Sequence, residues 1–508
     1  MEIIYYFADF WIIIFIKEES MNKLINLIYN QGTENWSQSS EDAFSELYGS
    51  KNGRYPEKAN AVVTLRAPEI KQDKGVPYAS LIHPSNPDSG AYGGMSLVIF
   101  PVPDAPCMIA MCVGTQGLSP DEEVLARPGH GRKVGAICNW LNKKHGKGSL
   151  IAWAKQDPVC VDQDVPETIK QLFPDYKSVF DRYGKVLYGI FIPNDDKDAT
   201  TEALKAFMDL MFEERGTCPL KSAKEESEQL RIEYFAHLMP DVTENKVQEL
   251  LKENRFVVLQ GPPGTGKTRM ALRILENTYK SNGFSIQFHP NTTYENFVGG
   301  LAPVISDGAI GFNFAPQNGY LMKAAKEAEQ KPDKPYLLHI DEINRADLSK
   351  VLGEAIFLFE SRADEQRKLE LPYDFSKPFY NKLWLPDNLY VLGTMNSADR
   401  SIAIVDIAVR RRFAFVKLWP QMEVVNNLAG SVMKKAFIDL LSIFIEYASD
   451  DALSLVPGHS YFLEMDDEKA PRQLKVKLAP LLEEYLAQGY VAGFAEPVRA
   501  YLQWIESL

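Results

Sequence analysis

The run Gly-Pro-Pro-Gly-Thr-Gly-Lys-Thr at residues 261–268 constrains this chain more than any other segment. It matches the phosphate-binding loop pattern G-x-x-x-x-G-K-[ST]. Residues 256–260 before it are apolar and predict a buried strand, while residues 268–280 after it are rich in helix formers and end at the helix-stopping segment 281–283. Since a strand, a glycine loop and a helix in this order are the context that the motif requires, we predict a site for the phosphates of a nucleotide.

Each residue type in this loop has a chemical reason to be there. Gly261, Gly264 and Gly266 allow backbone N–H groups to turn toward phosphate oxygens. Lys267 would reach the β- and γ-phosphates, the Thr268 hydroxyl would ligate Mg²⁺, and the helix N-terminus would add partial positive charge. The predicted nucleotide-binding residues are Gly261, Pro262, Pro263, Gly264, Thr265, Gly266, Lys267 and Thr268.

Length and composition exclude several other classes of protein. The 508 residues are enough for roughly two to four domains. The formal net charge of −13 argues against a protein that coats nucleic acid through a basic surface, although a local basic site is compatible with it. The five cysteines form no C-x-x-C pair, so we expect neither a disulfide framework nor a thiolate zinc site. We therefore expect a protein of the reducing cytoplasm.

Residues 1–20 have two interpretations. Residues 1–16 are almost wholly apolar, but they are fewer than the roughly 20 that a spanning helix needs, they include Asp9, and they lack the basic start of a signal peptide. They are either an interfacial anchor or the product of a start codon assigned upstream of the true one at Met21. We favour the second, because an amphipathic pattern begins at Met21. No stable membrane association is expected.

The rest of the chain divides by pattern. Residues 21–215 predict a separate α+β domain, with strands at 61–65, 96–102, 108–113 and 187–192 and helices at 134–142 and 200–214. Residues 216–245 are predicted to be a linker and a lead-in helix, with the polar linking segment at 214–226 and the helix at 230–238. Residues 246–420 alternate strand-like and helix-like segments, which predicts an α/β core with a parallel sheet and flanking helices. Its five predicted strands are at 256–260, 285–288, 336–340, 389–393 and 413–416. Residues 421–508 predict a helical lid, with helices at 433–448, 474–487 and 497–505.

The core contains a second signature. Residues 336–340 are a predicted buried strand that ends in Asp341 and Glu342, where the carboxyl edge of the sheet would meet the phosphates. Asp341 would bind Mg²⁺, directly or through water. Glu342 would orient and polarise the attacking water. An acidic pair alone is often only part of the solvent-exposed surface, but downstream of a phosphate loop it indicates nucleotide hydrolysis.

Two further motifs follow. Another apolar strand, predicted at 389–393, leads into Asn396, Asp399 and Arg400, so the Asn396 amide could reach the γ-phosphate or the lytic water. The alternative is a helix-capping turn. Next come three arginines at 410–412, ahead of a strand predicted at 413–416. Such a run is usually a solvated face, but in an oligomeric NTPase a guanidinium can stabilise charge at a neighbour's γ-phosphate.

These four motifs in this order resemble the core of an AAA+ ATPase, and the similarity extends to the McrB family, which carries a dynein-related AAA domain. That family supplies the NTPase subunit of McrBC systems, which restrict modified DNA. The resemblance covers about residues 245–490, and the usual Thr of the third motif is Ser397 here. The segments that carry it are 287–290, 294–297, 340–354, 395–401, 409–413, 458–462 and 480–485.

The resemblance implies roles and partners. Asn396 would sense the γ-phosphate with support from Asp399, and Arg411 or Arg412, preferably Arg412, would be the finger that acts on a neighbouring subunit. The family forms rings, typically hexamers, and works with a McrC-like endonuclease, which agrees with the absence of a nuclease motif here. The substrate would be ATP or GTP with Mg²⁺, and the sequence leaves the choice open.

In the McrB family the N-terminal domain is variable and reads the DNA target. The family's domain for flipped methylcytosine is not recognisable here, but a predicted basic loop at 127–133 could grip a phosphate backbone. Tyr78, Tyr92 and Phe100 could line a base pocket, although aromatic residues of this kind are more often core. Trp140 and Trp153 are better explained as core.

Two rival functions remain: a MoxR-like remodeller of a protein partner, and a nucleotide-dependent switch that hydrolyses slowly.

Overall fold

The computed structural model describes residues 21–30, 35–49, 53–69, 75–305, 312–360, 366–398 and 407–508. The chain divides into two compact units, one up to Pro240 together with Ile445–Ala448, and one formed by Asp241–Phe444 and Ser449–Leu508. The apolar segment 1–20 lies outside the described residues, and so do Asp399 and Arg400. Among the helices that the structure describes, none is long and apolar enough to cross a membrane.

The first unit is built on an antiparallel sheet of six strands in the order β1-β2-β3-β4-β6-β5. The strands are β1 (Thr64–Arg66), β2 (Ala79–Ile82), β3 (Met95–Phe100), β4 (Met108–Val113), β5 (Ala152–Ala154) and β6 (Leu187–Phe191). The helices are α1 (21–29), α2 (Trp36–Ser45), α3 (Glu122–Leu125), α4 (Pro128–His145), α5 (Glu167–Leu172), α6 (Lys177–Tyr183), α7 (Lys197–Glu214) and α8 (Lys221–Phe235). Single 3₁₀ turns occupy Glu57–Ala61 and Pro174–Tyr176.

Both faces of this sheet are covered, which explains why its central strands are apolar throughout. Leu97 and Ile99 of β3 belong to the larger hydrophobic core, which includes residues of α4 and α7. Val98 and Phe100 alternate with them and belong to a smaller core that includes residues of α6. The α+β class predicted for this region is therefore confirmed. The strand predicted at 61–65 was misplaced, because residues 57–61 form a 3₁₀ turn and β1 begins at Thr64.

Two local predictions for this unit were wrong. The basic segment 127–133 is not a loop, because α4 begins at Pro128, a residue favoured in the first helical turn, and His130 is buried. Much of the polar segment 214–226 is helical rather than a linker, since α8 begins at Lys221. Its Glu226 pairs with the buried Arg54 at 2.6 Å.

One buried polar cluster joins α4 to α7. The Glu214 carboxylate lies 2.5 Å from His130 Nδ1 and accepts a hydrogen bond of 2.7 Å from Lys133 Nζ. Burial alone raises the pKa of Glu214, but these two neighbours outweigh it and lower that pKa to about 2. The pair of helices is thus fastened by a carboxylate that is ionised at neutral pH.

The second unit contains a parallel sheet of five strands in the order β15-β7-β14-β11-β8. These strands are β7 (Phe256–Gly261), β8 (Gly283–Gln287), β11 (Tyr336–Asp341), β14 (Leu389–Asn396) and β15 (Ala414–Lys417). All five predicted strands are present, with ends shifted by a few residues. Two antiparallel hairpins were not predicted: β9 (Gly299–Ile305) with β10 (Phe312–Asn318), and β12 (Leu369–Glu370) with β13 (Lys382–Leu383).

Helices cover both faces of the parallel sheet. Phe256 and Val258 of β7 belong to one hydrophobic core and Val257 and Leu259 to the other, as expected for a buried parallel strand. The helices among residues 241–410 are α9 (Glu244–Asn254), α10 (Lys267–Arg273), α11 (Tyr294–Phe297), α12 (Tyr320–Glu329), α13 (Leu348–Leu352) and α14 (Ile407–Arg410).

The C-terminal part of this unit is helical, as predicted. It comprises α15 (Met422–Leu428), α16 (Ser431–Tyr447), α17 (Asp450–Leu453), α18 (Ala470–Gln473), α19 (Ala479–Ala487) and α20 (Ala495–Ser507), and Leu474–Leu478 form a π turn between α18 and α19. The connection between α17 and α18 contains a 3₁₀ turn, His459–Phe462.

Candidate nucleotide site

The glycine loop connects β7 to α10. Gly264 and Gly266 both have φ of 80°, a left-handed conformation that glycine adopts without a steric penalty. The buried Lys267 Nζ donates hydrogen bonds of 2.9 Å to the carbonyl oxygen of Gly261 and 2.7 Å to that of Pro262. The Thr265 hydroxyl donates to the same Pro262 oxygen at 2.9 Å. The predicted strand, loop and helix are therefore present, with the ammonium held inside the loop.

A group of oxygen atoms lies beside this loop. The Thr268 hydroxyl, at the start of α10, donates to Asp341 Oδ1 at 2.8 Å. The Thr394 hydroxyl, on the neighbouring strand β14, donates to the same carboxylate oxygen. Thr394 also accepts a hydrogen bond of 3.2 Å from the backbone N–H of Glu342. The loop helix, β11 and β14 are thus joined through one carboxylate.

Glu342 has an unusual backbone. Its φ of 52° and ψ of 47° place a non-glycine residue in the left-handed region directly after β11. Its carboxylate lies 3.6 Å from the guanidinium of Arg345, and the side chain is largely shielded from solvent. A left-handed conformation at such a residue costs of order 1–3 kcal/mol and is concentrated at functional sites. The surrounding hydrogen bonds hold Glu342 in this conformation.

Asn396 ends β14 and lies opposite Gly261 in the parallel register with β7. Its Oδ1 accepts a hydrogen bond of 3.1 Å from the N–H of Ala398, which closes a local turn. Its carbonyl oxygen accepts one of 3.3 Å from the side chain of the buried Asn344. The structure therefore brings Asn396 to the edge of the loop while its side chain stabilises a turn. Asp399 lies outside the described residues.

The three arginines are separate from this group within the described part of the chain. Arg410 and Arg411 are exposed, and the Arg410 guanidinium lies 5.3 Å from the ring centroid of Phe415. Arg412 is half-buried and donates a hydrogen bond of 2.8 Å to the carbonyl of Ala408. None of the described hydrogen bonds or ion pairs joins Arg411 or Arg412 to residues 261–268.

A C-terminal segment packs directly on the glycine loop. The N–H of Gly458 donates to the carbonyl of Pro263 at 2.9 Å, and the N–H of Ser460 donates to that of Gly264 at 3.0 Å. A Cβ atom added to Gly458 would lie 2.1 Å from the carbonyl carbon of Gly264. Only glycine allows this approach of two backbones.

A cavity of about 400 Å³ opens beside Gly266. Its polar lining includes Glu244, Arg269, Gln421, Asn427 and His459. Burial, and then the positive charge of Arg269, lowers the pKa of His459, so this imidazole is neutral near pH 7. Its Nδ1 accepts a hydrogen bond of 3.2 Å from the N–H of Gln421, which leaves Nε2 as the protonated nitrogen. The cavity therefore offers both donors and acceptors to a ligand.

Comparison with known proteins agrees with this arrangement. Residues 256–413 match the family of AAA domains described as the dynein-related subfamily. The chain is 33% identical over 272 residues to the type IV methyl-directed restriction enzyme EcoKMcrB subunit of Escherichia coli K12. Residues 256–413 thus form an AAA domain, and the chain is similar to an McrB subunit.

This similarity does not span whole proteins. The alignment with the Escherichia coli subunit covers 49% of this chain and 57% of that protein. A second relative, the type II restriction enzyme BsuMI component YdiS of Bacillus subtilis 168, is 27% identical over 195 residues, with coverage of 31% and 55%. The chain thus spans little more than half the length of each relative. A solved structure from Cytophaga hutchinsonii aligns over 40% of this chain and 65% of that chain, but at 16% identity and a TM-score of 0.23 it adds no support.

The residues of the AAA+ core fit a nucleotide with Mg²⁺. A carboxylate and a hydroxyl, from Asp341 and Thr268, are the hard oxygen donors that Mg²⁺ prefers, and they are already in contact. The positive-φ glycines and the buried Lys267 are the groups that a triphosphate requires. The sequence interpretation did not single out Thr394, whose hydroxyl contacts Asp341, although a hydroxyl within an apolar strand was a usable signal.

Proposed function

We propose that this AAA+ protein hydrolyses a nucleoside triphosphate, ATP or GTP, as the oligomeric NTPase of a McrB-like DNA restriction system. The observation that carries the proposal is the convergence of the Thr268 and Thr394 hydroxyls on Asp341, next to the loop that holds Lys267. A triphosphate requires a cation cradle and oxygen ligands for Mg²⁺ at one place, and these residues supply both.

Residues of a single chain would bind the phosphates, hold Mg²⁺ and activate the attacking water. Lys267 would exchange its bonds to the Gly261 and Pro262 carbonyls for bonds to the β- and γ-phosphate oxygens, at little cost in reorganisation because it already points into the loop. Thr268 and Asp341 would hold Mg²⁺, which supplies charge neutralisation when bound. Glu342 would accept the proton of the attacking water, oriented by its fixed backbone.

A neighbouring subunit would complete the site. Asn396 would sense the γ-phosphate bound by its own chain, with Asp399 in support. Arg412, or else Arg411, would instead approach the γ-phosphate bound by the adjacent subunit. Arg412 makes a single described hydrogen bond, to a carbonyl of its own turn, so its guanidinium retains donors for a second acceptor. This arrangement requires contact between neighbouring subunits, and we propose that six of them form a ring.

We propose that the cavity beside Gly266 receives the base of the nucleotide. The carboxylate of Glu244, the amides of Gln421 and Asn427 and the His459 ring can hydrogen-bond either purine, so this lining is compatible with ATP and with GTP. In the same proposal residues 421–508 act as the lid, since Gly458 and Ser460 fix it to the loop through backbone bonds.

For the partners, we propose that residues 21–215 contact DNA and that a McrC-like endonuclease subunit cuts it. Two relatives support this proposal, because one is a subunit and the other a component of a restriction enzyme. In the rival proposal the protein remodels a protein partner. The nucleotide site would be the same, and only the molecule that stimulates hydrolysis would differ.

Phosphate release is the experiment that tests the proposal. The purified protein would be assayed with ATP and with GTP, with and without DNA, and beside a Lys267→Ala control. We expect Mg²⁺-dependent release with at least one nucleotide, stimulation by DNA, and loss of release in the control. Turnover without any response to DNA would favour the protein remodeller. Failure to bind or hydrolyse either nucleotide would contradict the proposal.

A further inference from the structure

The second unit contains a cavity of about 800 Å³ whose lining includes none of the loop residues 261–268. Residues 284–288, which are most of β8 and the residue after it, form one wall without a break. Because the side chains of a strand alternate between its two faces, an unbroken run of lining residues means that the edge of the strand faces the cavity. The volume lies in the range of ligand sites, roughly 300–1,000 Å³.

This edge of β8 carries backbone groups that no described strand pairs with. β8 is the last strand of the parallel sheet, and among the described strands it pairs with β11 alone. The N–H of Phe288 donates to the carbonyl of Asp341 at 2.9 Å, so this residue directs its N–H toward β11. Since backbone groups alternate in direction along a strand, those of Ser285 and Gln287 point away from β11. Two N–H donors and two carbonyl acceptors therefore lie along the open edge.

β8 lacks the features that usually protect an open edge from pairing. Its residues, Gly-Phe-Ser-Ile-Gln, include no charged residue and no proline, and its register with β11 runs without a bulge. The neighbouring hairpin, by contrast, carries Pro303 on β9 and Pro316 on β10. Proline has no N–H to donate, so the hairpin is a poorer template for a further strand than β8 is.

The open edge is also held in place. The Ser285 hydroxyl lies 2.7 Å from Nδ1 of His339, which is fully buried on β11. Phe284 and Ile286 pack against the hydrophobic core that contains Phe256. A ligand strand would therefore meet an edge that is already ordered, which lowers the entropy cost of binding.

The rest of the lining shows what kind of segment fits. Leu301 of β9 and Tyr320 of α12 line the cavity and are 39% and 42% exposed, so they offer apolar surface to a ligand. The lining contains one carboxylate, on Glu295, and one ammonium, on Lys323. Because these charges offset each other, the cavity complements an uncharged segment better than an acidic or a basic one.

We propose that this cavity binds an extended, uncharged segment of a partner polypeptide, which adds a strand to the open edge of β8. The backbone groups of Ser285 and Gln287 would bond to that strand, and Leu301 and Tyr320 would contact its apolar side chains. A second copy of the chain is a poor source of the strand, because its own β8 is bordered by the same hairpin. The proposal does not depend on nucleotide hydrolysis.

The probe is a fluorescein-labelled heptapeptide of alternating valine and threonine with both ends capped, titrated against the full chain by fluorescence anisotropy. Its control has the same side chains and a methyl group on each central backbone amide. Methylation removes the N–H donors on which strand pairing depends. We expect the unmodified peptide to bind and the methylated peptide to bind at least about tenfold more weakly, since several hydrogen bonds are lost.

Two pairs of variants place the peptide on this edge. Gln287→Pro removes an outward N–H, and Gln287→Thr is its matched control because it changes the side chain and keeps the N–H. Leu301→Lys puts a charge on the cavity wall. Its control is Phe314→Lys, since Phe314 lies on the same hairpin, is 69% exposed and is not part of the lining.

We expect Gln287→Pro to weaken peptide binding by roughly 2- to 10-fold, the effect of one lost hydrogen bond, and Gln287→Thr to leave it unchanged. Leu301→Lys should weaken it at least about fivefold, because binding would desolvate the new charge, and Phe314→Lys should not change it. Since Leu301 is exposed, its variant keeps the test valid should Gln287→Pro not fold.

Three results would overturn the proposal: no binding of the heptapeptide, equal binding of the methylated peptide, or binding that Leu301→Lys does not change. Dimerisation of the chain that Leu301→Lys abolishes, without peptide binding, would also overturn it, by assigning the edge to a second copy. Peptide binding should be the same in Lys267→Ala, and Leu301→Lys should release phosphate like the unaltered protein. These two measurements separate failure of the peptide site from failure of the nucleotide site.

Discussion

Replacement of Thr394 by valine tests the geometry of the nucleotide site most finely. Thr394 is 2% exposed, and its hydroxyl is the link between the Asp341 carboxylate and the Glu342 backbone. Valine has nearly the same shape, so Thr394→Val creates no cavity. It removes one hydrogen bond to a carboxylate and leaves the Glu342 N–H without this acceptor.

The magnitude follows from these two losses. A hydrogen bond to a charged group contributes about 1.5–3 kcal/mol, and an unsatisfied buried donor costs about 1–3 kcal/mol. If about 2–3 kcal/mol of this total is lost from the transition state, because Asp341 and Glu342 are no longer held in place, kcat should fall roughly 30- to 150-fold. The apparent affinity for Mg²⁺ should fall as well, since Asp341 loses a bond that orients it.

The assay is phosphate release as a function of Mg²⁺ and nucleotide, with thermal unfolding measured in parallel. Thr394→Ser is the matched control, because it keeps the hydroxyl and loses one buried methyl group, worth about 1 kcal/mol of stability. Its kcat should stay within about threefold of the unaltered protein. Valine and serine variants with equal activity, whether both normal or both impaired, would refute the role assigned to the hydroxyl.

Three other changes have definite expected outcomes. Gly458→Ala places a methyl group against the Gly264 backbone, so we expect the lid segment to be displaced. Nucleotide affinity, measured by equilibrium titration, should fall at least about tenfold. Unchanged affinity would mean that this contact is dispensable. A mixture of Arg412→Ala and Lys267→Ala subunits should recover part of the phosphate release that each variant lacks alone, because an intact half-site from each can meet at a mixed interface. No recovery at any mixing ratio would count against a shared site. For Glu214, whose folded-state pKa of about 2 lies below the ordinary 4.5, the stabilisation is complete above pH 4.5 and is lost as the pH falls toward 2. The Tm advantage of the unaltered protein over Glu214→Gln should therefore shrink across that interval, and a constant difference would contradict the assigned pKa.

Most strands of the parallel sheet (β7, β11, β14 and β15) could be predicted from the sequence because each contains a short apolar run. The same holds for the loop at 261–268 and for Asp341 and Glu342, since a strand end fixes where the next side chains lie. The hairpin of β9 and β10 was missed because Gly299–Ile305 does not alternate in hydrophobicity and begins with two glycines.

The remaining errors have tertiary causes. Residues 127–133 read as a loop because they contain two glycines and a proline, yet packing of His130 against Glu214 and Tyr188 makes this segment the start of a helix. Propensity is a weak guide where such contacts intervene. The contact of Gly458 with Gly264 joins residues far apart in the chain, so no local pattern could reveal it. Of the aromatic residues considered as a pocket or as core, Phe100 is buried while Tyr78 and Tyr92 are partly buried, and all three line one cavity.

The central claim is that Glu342 activates water for attack on a triphosphate held by Lys267. Glu342→Gln tests it most directly, because glutamine keeps the shape of the side chain and removes its ability to accept a proton. Nucleotide binding and single-turnover phosphate release should be measured on the same preparation. We predict that binding with Mg²⁺ is retained within about threefold while release falls at least about 100-fold, the lower range for loss of a general base. Normal turnover by this variant would contradict the account.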